Sequence, residues 1–377
     1  MKIAIVGNGT MGSRLTREFV ARGHEVVVFR ASSAPEAGQE SLVDPSLSAL
    51  EFLSTCDLVF ENVKEDEEVK RRVLDTIASR TPAHIATGTS SLPLSLLAMN
   101  SPSCADRLIA LHFFNPPSII KFVEVATIHN HAGAALMCDA LTDMGFTVAK
   151  VPPTAGFIAS RIGCFTSTNV EWKTSMAGLS PAEADVLFGL PLDRPSTGCF
   201  KLADLIGLDV VKMITDNIKK GLMWEDPMAS SFVTLPLFEE LIDLGALGFK
   251  TGKGVYEGRG KRCWDSEFKQ YASPSLERVS GLAAALRVVG WKEKIRILKE
   301  HDDVVIADLV LDHLFEVLKY SNDVAYSLDV SPELVDLCLN KGYVWAKGPF
   351  TVMRELEVFV EDDPAQTTKN LRTLLRG

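Results

Sequence analysis

A histidine and a glutamate stand twelve positions apart in the stretch Leu111-His112-Phe113-Phe114-Asn115-Pro116-Pro117 and Lys121-Phe122-Val123-Glu124-Val125. An imidazole is the side chain most readily poised to trade a proton near neutral pH. A carboxylate behind it fixes the tautomer and stabilises the charged ring. The Pro116-Pro117 pair cannot continue a helix or a central strand ladder, so the chain is expected to turn there. It then returns along Phe122 to Val125, which lets Glu124 face His112.

A second constellation opens the chain. Lys2-Ile3-Ala4-Ile5-Val6 reads as a strand, Gly7-Asn8-Gly9-Thr10-Met11-Gly12 as a G-x-G-x-x-G turn, and the pattern through Phe19 and Ala21 as a helix. In that order they form a dinucleotide-binding fingerprint: one glycine makes the turn, one admits the pyrophosphate, and one lets the helix pack closely. Gly7, Gly9, Thr10, Met11 and Gly12 are therefore candidate cofactor contacts. Glu25 to Phe29 reads as the next strand, and the residue closing it normally meets the adenosine ribose. Here it is Arg30, followed by Ser32 and Ser33 one residue on. A guanidinium and two hydroxyls suit a 2′-phosphate, so the expected cofactor is NADP, with NAD as the alternative.

The elements that must position these groups follow. Strand-like runs recur at Leu58-Val59-Phe60, Ala83-His84-Ile85-Ala86, Leu108-Ile109-Ala110-Leu111 and Thr147-Val148-Ala149-Lys150, with helical segments between most of them. This alternation implies an α/β domain with a doubly wound parallel sheet. Ligands bind beyond the carboxyl ends of such strands. Glu61-Asn62, Thr89-Ser90-Ser91 and His112 each fall just past such an end and should converge on one crevice. After Val151-Pro152-Pro153 the chain turns helical, with a glycine-rich exit from Gly248 to Tyr256 and a charged connector from Arg278 to Asp303. Ser180-Pro181-Ala182-Glu183-Ala184-Asp185 is echoed by Ser331-Pro332-Glu333-Leu334-Val335-Asp336. Gly198-Cys199-Phe200 is echoed by Gly348-Pro349-Phe350, again about 150 residues on. Two echoes in register imply a duplicated helical domain. The expected divisions are 1–151, 152–258, a connector at 259–300, and a second helical domain at 301–377.

Composition bounds the function. The 377 residues are 46% hydrophobic and 23% charged, as in a globular protein. A formal charge of −10 disfavours nucleic acid and anionic membrane as partners. Seven scattered cysteines without a C-x-x-C pair fit a reducing, cytoplasmic setting and imply no metal site. His129-Asn130-His131 has metal-like spacing but no neighbouring ligands, and reads as a polar loop. Glu65 to Glu68 reads as a solvated helix face.

The fingerprint, Thr89-Ser90-Ser91-Leu92, His112-Phe113-Phe114-Asn115-Pro116, Glu124 and Gly156-Phe157-Ile158 together resemble the L-3-hydroxyacyl-CoA dehydrogenases over nearly the whole length. The duplicated tail is similar to the dehydrogenase part of multifunctional fatty-acid oxidation enzymes. The resemblance implies a doubly wound Rossmann domain followed by two all-α domains of the C-terminal type. It implies that His112 exchanges the proton of the 3-hydroxyl, that Glu124 orients it, and that Ser90 bonds the substrate oxygen. Asn115 would help place the reacting groups, and Glu61 would line the nicotinamide ribose. Ser160 stands where the family carries a substrate-facing Asn, Gly88 replaces another Asn, and Arg30 replaces the cofactor acid. The implied activity is interconversion of 3-hydroxyacyl and 3-oxoacyl thioesters, on CoA or a carrier protein, in the sense of NADPH-linked reduction. Two alternatives stand beside it: a dehydrogenase of a non-thioester β-hydroxy acid, and a catalytically weak nucleotide-binding relative. Monomer and homodimer both remain open.

Overall fold

The computed structural model describes residues 1–31, 38–128, 132–230 and 236–376. The chain divides into two compact units, Met1–Phe157 and Ile158–Gly377.

The first unit runs β1 (Lys2–Val6), α1 (Thr10–Ala21), β2 (Glu25–Arg30), β3 (Glu40–Ser41), α2 (Leu47–Thr55), β4 (Leu58–Glu61), α3 (Glu67–Arg80), β5 (His84–Thr87), α4 (Leu94–Asn100), β6 (Leu108–Phe113), β7 (Phe122–Thr127), α5 (Ala132–Asp143) and β8 (Thr147–Lys150). Its sheet has the order β3-β2-β1-β4-β5-β6-β7-β8. The chain leaves β1 toward β2 and β3, then returns to β1's other side with β4. This reversal makes a crevice beyond the carboxyl ends of β1 and β4. The strands are near-continuous apolar runs because both faces are covered: on one, Ile3, Ile5, Leu58, Phe60, Ile109, Leu111 and Phe113 pack with Leu15 and Phe19 of α1 and Met137 and Leu141 of α5, and on the other Ala4, Val59, Ile85 and Ala110 are fully buried.

The expected all-parallel sheet is mixed at one edge. β7 runs antiparallel to β6, and β8 runs parallel to β7. Residues 114–121, which carry the proline pair, are too few for a crossover helix, so the chain can only fold back beside the strand it has left.

The second unit is mostly helical: α6 (Ala159–Met176), α7 (Pro181–Phe188), α8 (Phe200–Ile206), α9 (Leu208–Gly221), α10 (Pro227–Ser230), α11 (Pro236–Asp243), then, after a short ribbon, α12 (Glu277–Arg287), α13 (Trp291–Lys299), α14 (Val304–Ser327), α15 (Pro332–Gly342), α16 (Pro349–Glu355) and α17 (Pro364–Arg376). The ribbon is antiparallel, β9 (Tyr256–Glu257), β10 (Arg262–Asp265) and β11 (Gln270–Ala272), and it departs from the all-helical expectation. It is locally encoded by Tyr256, Cys263, Trp264 and Tyr271, which suit a half-buried pleated surface.

The echoed sequences build the same local structure twice. Ser180 and Ser331 each cap a helix that starts with proline, accepting from Glu183 N and Leu334 N. Asp185 accepts the backbone N–H groups of Cys199, Phe200 and Lys201 at 2.7, 2.8 and 3.0 Å. Asp336 accepts those of Phe350 and Thr351 at 2.9 and 2.8 Å. Gly198 and Gly348 are required for the same reason, because a Cβ on either would lie 2.3 Å from the aspartate oxygen. Helix α14 packs on α6, with the Tyr320 ring stacked 4.0 Å from Phe165 and its hydroxyl accepting from Arg161 Nε at 3.2 Å. Among the described residues no helix is long and apolar enough to cross a membrane.

Candidate active site

Strand register brings the histidine and glutamate together. His112 lies opposite Glu124 in the β6–β7 pair, so both side chains project from the same face. Nδ1 of His112 stands 2.7 Å from Oε2 of Glu124, and both groups are buried. A carboxylate only accepts, so Nδ1 carries the proton on that side of the ring and Nε2 faces away from Glu124. Nε2 makes no hydrogen bond among the described residues. The imidazole is held between two rings, Phe157 stacked at 5.1 Å and Phe114 tilted at 4.5 Å. Phe157 adopts φ 53° in the turn that ends the unit, a conformation its packing must support.

The glycine turn is built as its spacing predicts. Gly7 has φ +106°, and a Cβ there would fall 2.4 Å from the Asn62 carbonyl oxygen. A Cβ on Gly12 would fall 2.0 Å from the Gly7 carbonyl oxygen. At Gly9 nothing lies within 4 Å of the Cβ position. Open space at the middle glycine sits over the start of α1, whose first turn carries no acidic residue. Clearance and polarity therefore fit the pyrophosphate of a dinucleotide. Gly9, Thr10 and Met11 line a cavity of about 280 Å³ with Asn62, Glu65 and Ser90 among the other walls. Leu111 and Phe113 also line it, whereas His112 between them points from the opposite face of the strand.

Ser90 is presented by Glu65, a carboxylate in a charged run that has the composition of a solvated helix face. One oxygen of Glu65 accepts from Thr89 Oγ1 at 2.6 Å, from the N–H groups of Ser90 and Ser91 at 2.9 Å each, and from Ser91 Oγ at 2.9 Å. Its other oxygen pairs with the fully buried Lys70 at 3.4 Å. Burial works against both charges, but each sustains the other. Glu65 is held below the usual carboxylate range by Lys70 and the serine-loop donors. Lys70 is held above the usual lysine value by Glu61 and Glu65. The signal for this lies in α3 itself: Lys70 stands three, four and seven residues before Val73, Leu74 and Ile77, on the apolar stripe of the helix.

Two expected contacts are corrected. Glu61 does not line the cavity: it is fully buried, and its oxygens accept from Val63 N at 2.7 Å, Thr87 Oγ1 at 2.6 Å and Lys70 Nζ at 2.9 and 3.1 Å. As the last residue of β4 its side chain turns into the sheet's flank, where Lys70 must be neutralised. Asn115 is exposed and its Oδ1 is taken by Arg14 of α1, because the proline pair turns the chain outward at that residue. Arg30 closes β2 with its Nε donating to Gln39 Oε1 at 2.8 Å. Ser32, Ser33 and His129 to His131 lie outside the described residues. Ser160 is buried near the start of α6, in the second unit. Among the described residues no group of acids, cysteines and histidines could hold a metal ion.

Comparison with known proteins bears on this geometry. Residues 37–152 match the family described as 3-hydroxyacyl-CoA dehydrogenase, NAD binding domain, and residues 156–258 match its C-terminal domain. A 3-hydroxybutyryl-CoA dehydrogenase of Mycobacterium tuberculosis is 30% identical over 287 residues, 68% of this chain and 97% of the relative. A putative fatty acid oxidation complex trifunctional enzyme of Rickettsia felis is 28% identical over 93% of this chain, which spans only 52% of that relative's length. The crystal structure of a 3-hydroxybutyryl-CoA dehydrogenase from Escherichia coli shares the fold, with a TM-score of 0.69 over 100% of this chain and 94% of that one at 18% identity.

Proposed function

The chain belongs to the 3-hydroxyacyl-CoA dehydrogenase family, and from that premise we propose that it interconverts 3-hydroxyacyl and 3-oxoacyl thioesters, with NADPH-linked reduction as its working direction. The observation that carries this reading is the buried His112–Glu124 pair, matched in register at 2.7 Å.

A bound nicotinamide supplies or accepts the hydride. The protein's part is the proton. His112 holds it at Nε2, next to the substrate's 3-oxygen, and Glu124 keeps Nδ1–H engaged so that the ring cannot switch tautomer. As the oxygen gains negative charge, the imidazolium proton moves to it. In the reverse direction neutral His112 takes it back, and Glu124 stabilises the cation. The Ser90 hydroxyl donates to the same oxygen from a loop stiffened by Glu65. Phe157 and Phe114 keep water from the ring.

Arg30 at the end of β2 supports a 2′-phosphate-bearing cofactor, since a guanidinium attracts a phosphate that an acidic side chain would repel. CoA and a protein-bound pantetheine arm present the same thioester, so this reading takes either as carrier, and the seven cysteines without a disulfide support a cytoplasmic setting. Loss of reduced-nicotinamide absorbance with 3-oxoacyl thioesters tests both claims. NADPH is expected to serve at least tenfold better than NADH, or about 1.4 kcal/mol, and Arg30→Asp to reverse the order. Equal use of NADH overturns the cofactor reading. Turnover of free β-oxo acids but not thioesters overturns the substrate reading.

A further inference from the structure

Four lysine and arginine side chains are buried among the described residues: Lys70, Arg161, Arg194 and Lys294. Lys70 has Glu61 and Glu65, Arg161 has Asp226, and Lys294 has Asp193 at 3.7 Å. Arg194 has no carboxylate. It lies between α7 and α8, and only 8% of it is exposed.

Its recorded partners are neutral. Nη1 donates to Nε2 of His313 on α14 at 2.6 Å, and the guanidinium carbon stands 4.8 Å from the centre of the Trp345 ring. Nδ1 of His313 is 2.5 Å from Oδ1 of Asn169, whose Nδ2 donates to Glu316. That last bond fixes the amide's orientation, so Oδ1 is an acceptor, Nδ1 carries the proton and Nε2 is a bare acceptor. Burial, and then the charge of Arg194, hold His313 well below its usual basicity. The neighbouring Cys199 stays a thiol, pushed up to about 12 chiefly by burial. Burial also draws Arg194 down to about 10, which leaves it protonated at neutral pH. An uncompensated buried charge of this kind is strongly unfavourable.

Beside Arg194 is a cavity of about 30 Å³ whose walls are mostly apolar, Phe188, Leu202 and Trp345 among them, with Arg194, Ser167 and Tyr343 as polar lining residues. By volume it admits one or two waters or one small ion. Its walls come from both copies of the repeated helical motif. Arg194 follows Asp193, with φ 58°, and Trp345 follows Val344, with φ 56°, so equivalent positions of the two copies meet face to face. The Ala346 N–H donates to the Asp193 carbonyl at 2.8 Å and ties the seam beside them.

We propose that this cavity binds one small monovalent anion, of chloride's size, which neutralises Arg194 and locks the two helical copies together. The site is remote in kind from the redox chemistry, and its role is structural: the anion binds the folded seam and so stabilises it by mass action.

The test uses the full chain. Thermal unfolding is followed while sodium gluconate is replaced by sodium chloride at constant ionic strength, because gluconate is far too large for the cavity. A saturable rise of several degrees is expected, with bromide able to substitute. The ³⁵Cl resonance should show excess broadening that bromide displaces. Both effects are expected to vanish in Arg194→Met. Should that variant fail to fold, Arg194→Lys is expected to shift the chloride midpoint at least tenfold. Equal unfolding temperatures in the two salts with no excess broadening, or an unchanged midpoint in Arg194→Lys, overturns the assignment and leaves a water in the cavity.

Discussion

In the proposed reaction His112 and Glu65 have different parts, and substitution should separate them. His112→Ala removes the group proposed to exchange the proton and is expected to lower turnover by roughly 10²–10⁴-fold. Cofactor affinity, followed by nicotinamide fluorescence, should be unchanged, because the cavity at the glycine turn is lined without His112. Glu124→Gln keeps the shape but no longer stabilises the imidazolium, so it should fall in the same direction. Near-normal turnover in His112→Ala would remove the pair from the reaction. Glu65 touches no reacting atom in this reading and acts through the loop that presents Ser90. Its charge-assisted hydrogen bonds are worth about 1.5–3 kcal/mol each, and Glu65→Gln weakens four of them at once. Turnover is expected to fall about tenfold or more with its pH dependence unchanged, and unchanged steady-state constants would show that the loop needs no such anchor.

At the level of the element, two short devices recur: a glycine where helix and turn must touch, and an aspartate that gathers the N–H groups at the next helix's start. The first sets the crevice at the reversal of strand order, since Gly12 lets α1 approach the Gly7 carbonyl. The second holds α15 to α16. Asp336 accepts two backbone N–H groups and the Thr351 hydroxyl, the last at 2.7 Å. Asp336→Ala leaves these donors without an acceptor, and each such group costs about 1–3 kcal/mol when buried. A loss of roughly 2–4 kcal/mol in urea unfolding is expected. A loss below about 0.5 kcal/mol, the usual range for a surface change, would show that the aspartate does not hold the pair.

For the molecule as a whole, the helical unit contains a carboxyl group whose titration should appear in global stability. Glu171 of α6 is buried, and its pKa is pushed up to about 8, first by burial and then by Asp185, against the pull of Lys219. Between its unfolded value near 4.5 and about 8 the folded state therefore holds a proton that the unfolded chain has released. Stability must fall as pH rises through that window, because the native state binds more protons there. Below it both states are protonated and the group has no effect. Asp185, pushed up to about 6 mainly by burial, adds to the same slope at its lower end. Glu171→Gln should unfold at the same temperature as the parent at pH 4, and several degrees higher at pH 8.5. Equal temperatures at both pH values would mean that Glu171 is ionised in the native state.

The sequence by itself determined whatever depends on neighbours close along the chain. The glycine spacing dictates a turn because a Cβ would strike the adjacent backbone, and the proline pair dictates a return. Alternation then places Glu124 opposite His112, twelve positions on, across one hairpin. The repeat of serine, proline and aspartate after about 150 residues was legible for the same reason, since each copy closes on itself. Only the tertiary structure decided which charges face water. Glu65 and Lys70 have the composition of a solvated helix, yet folding α3 against the sheet drives Lys70 inside and makes Glu61 its counter-ion rather than a cofactor contact. Asn115 is drawn off by Arg14, a partner 101 positions away. Arg194 is recognisable as special only when His313, 119 positions on, is seen to be its neutral partner. A side chain's charge can be read from its letter, but its burial and its counter-charge belong to contacts between distant segments, and those exist only in the fold.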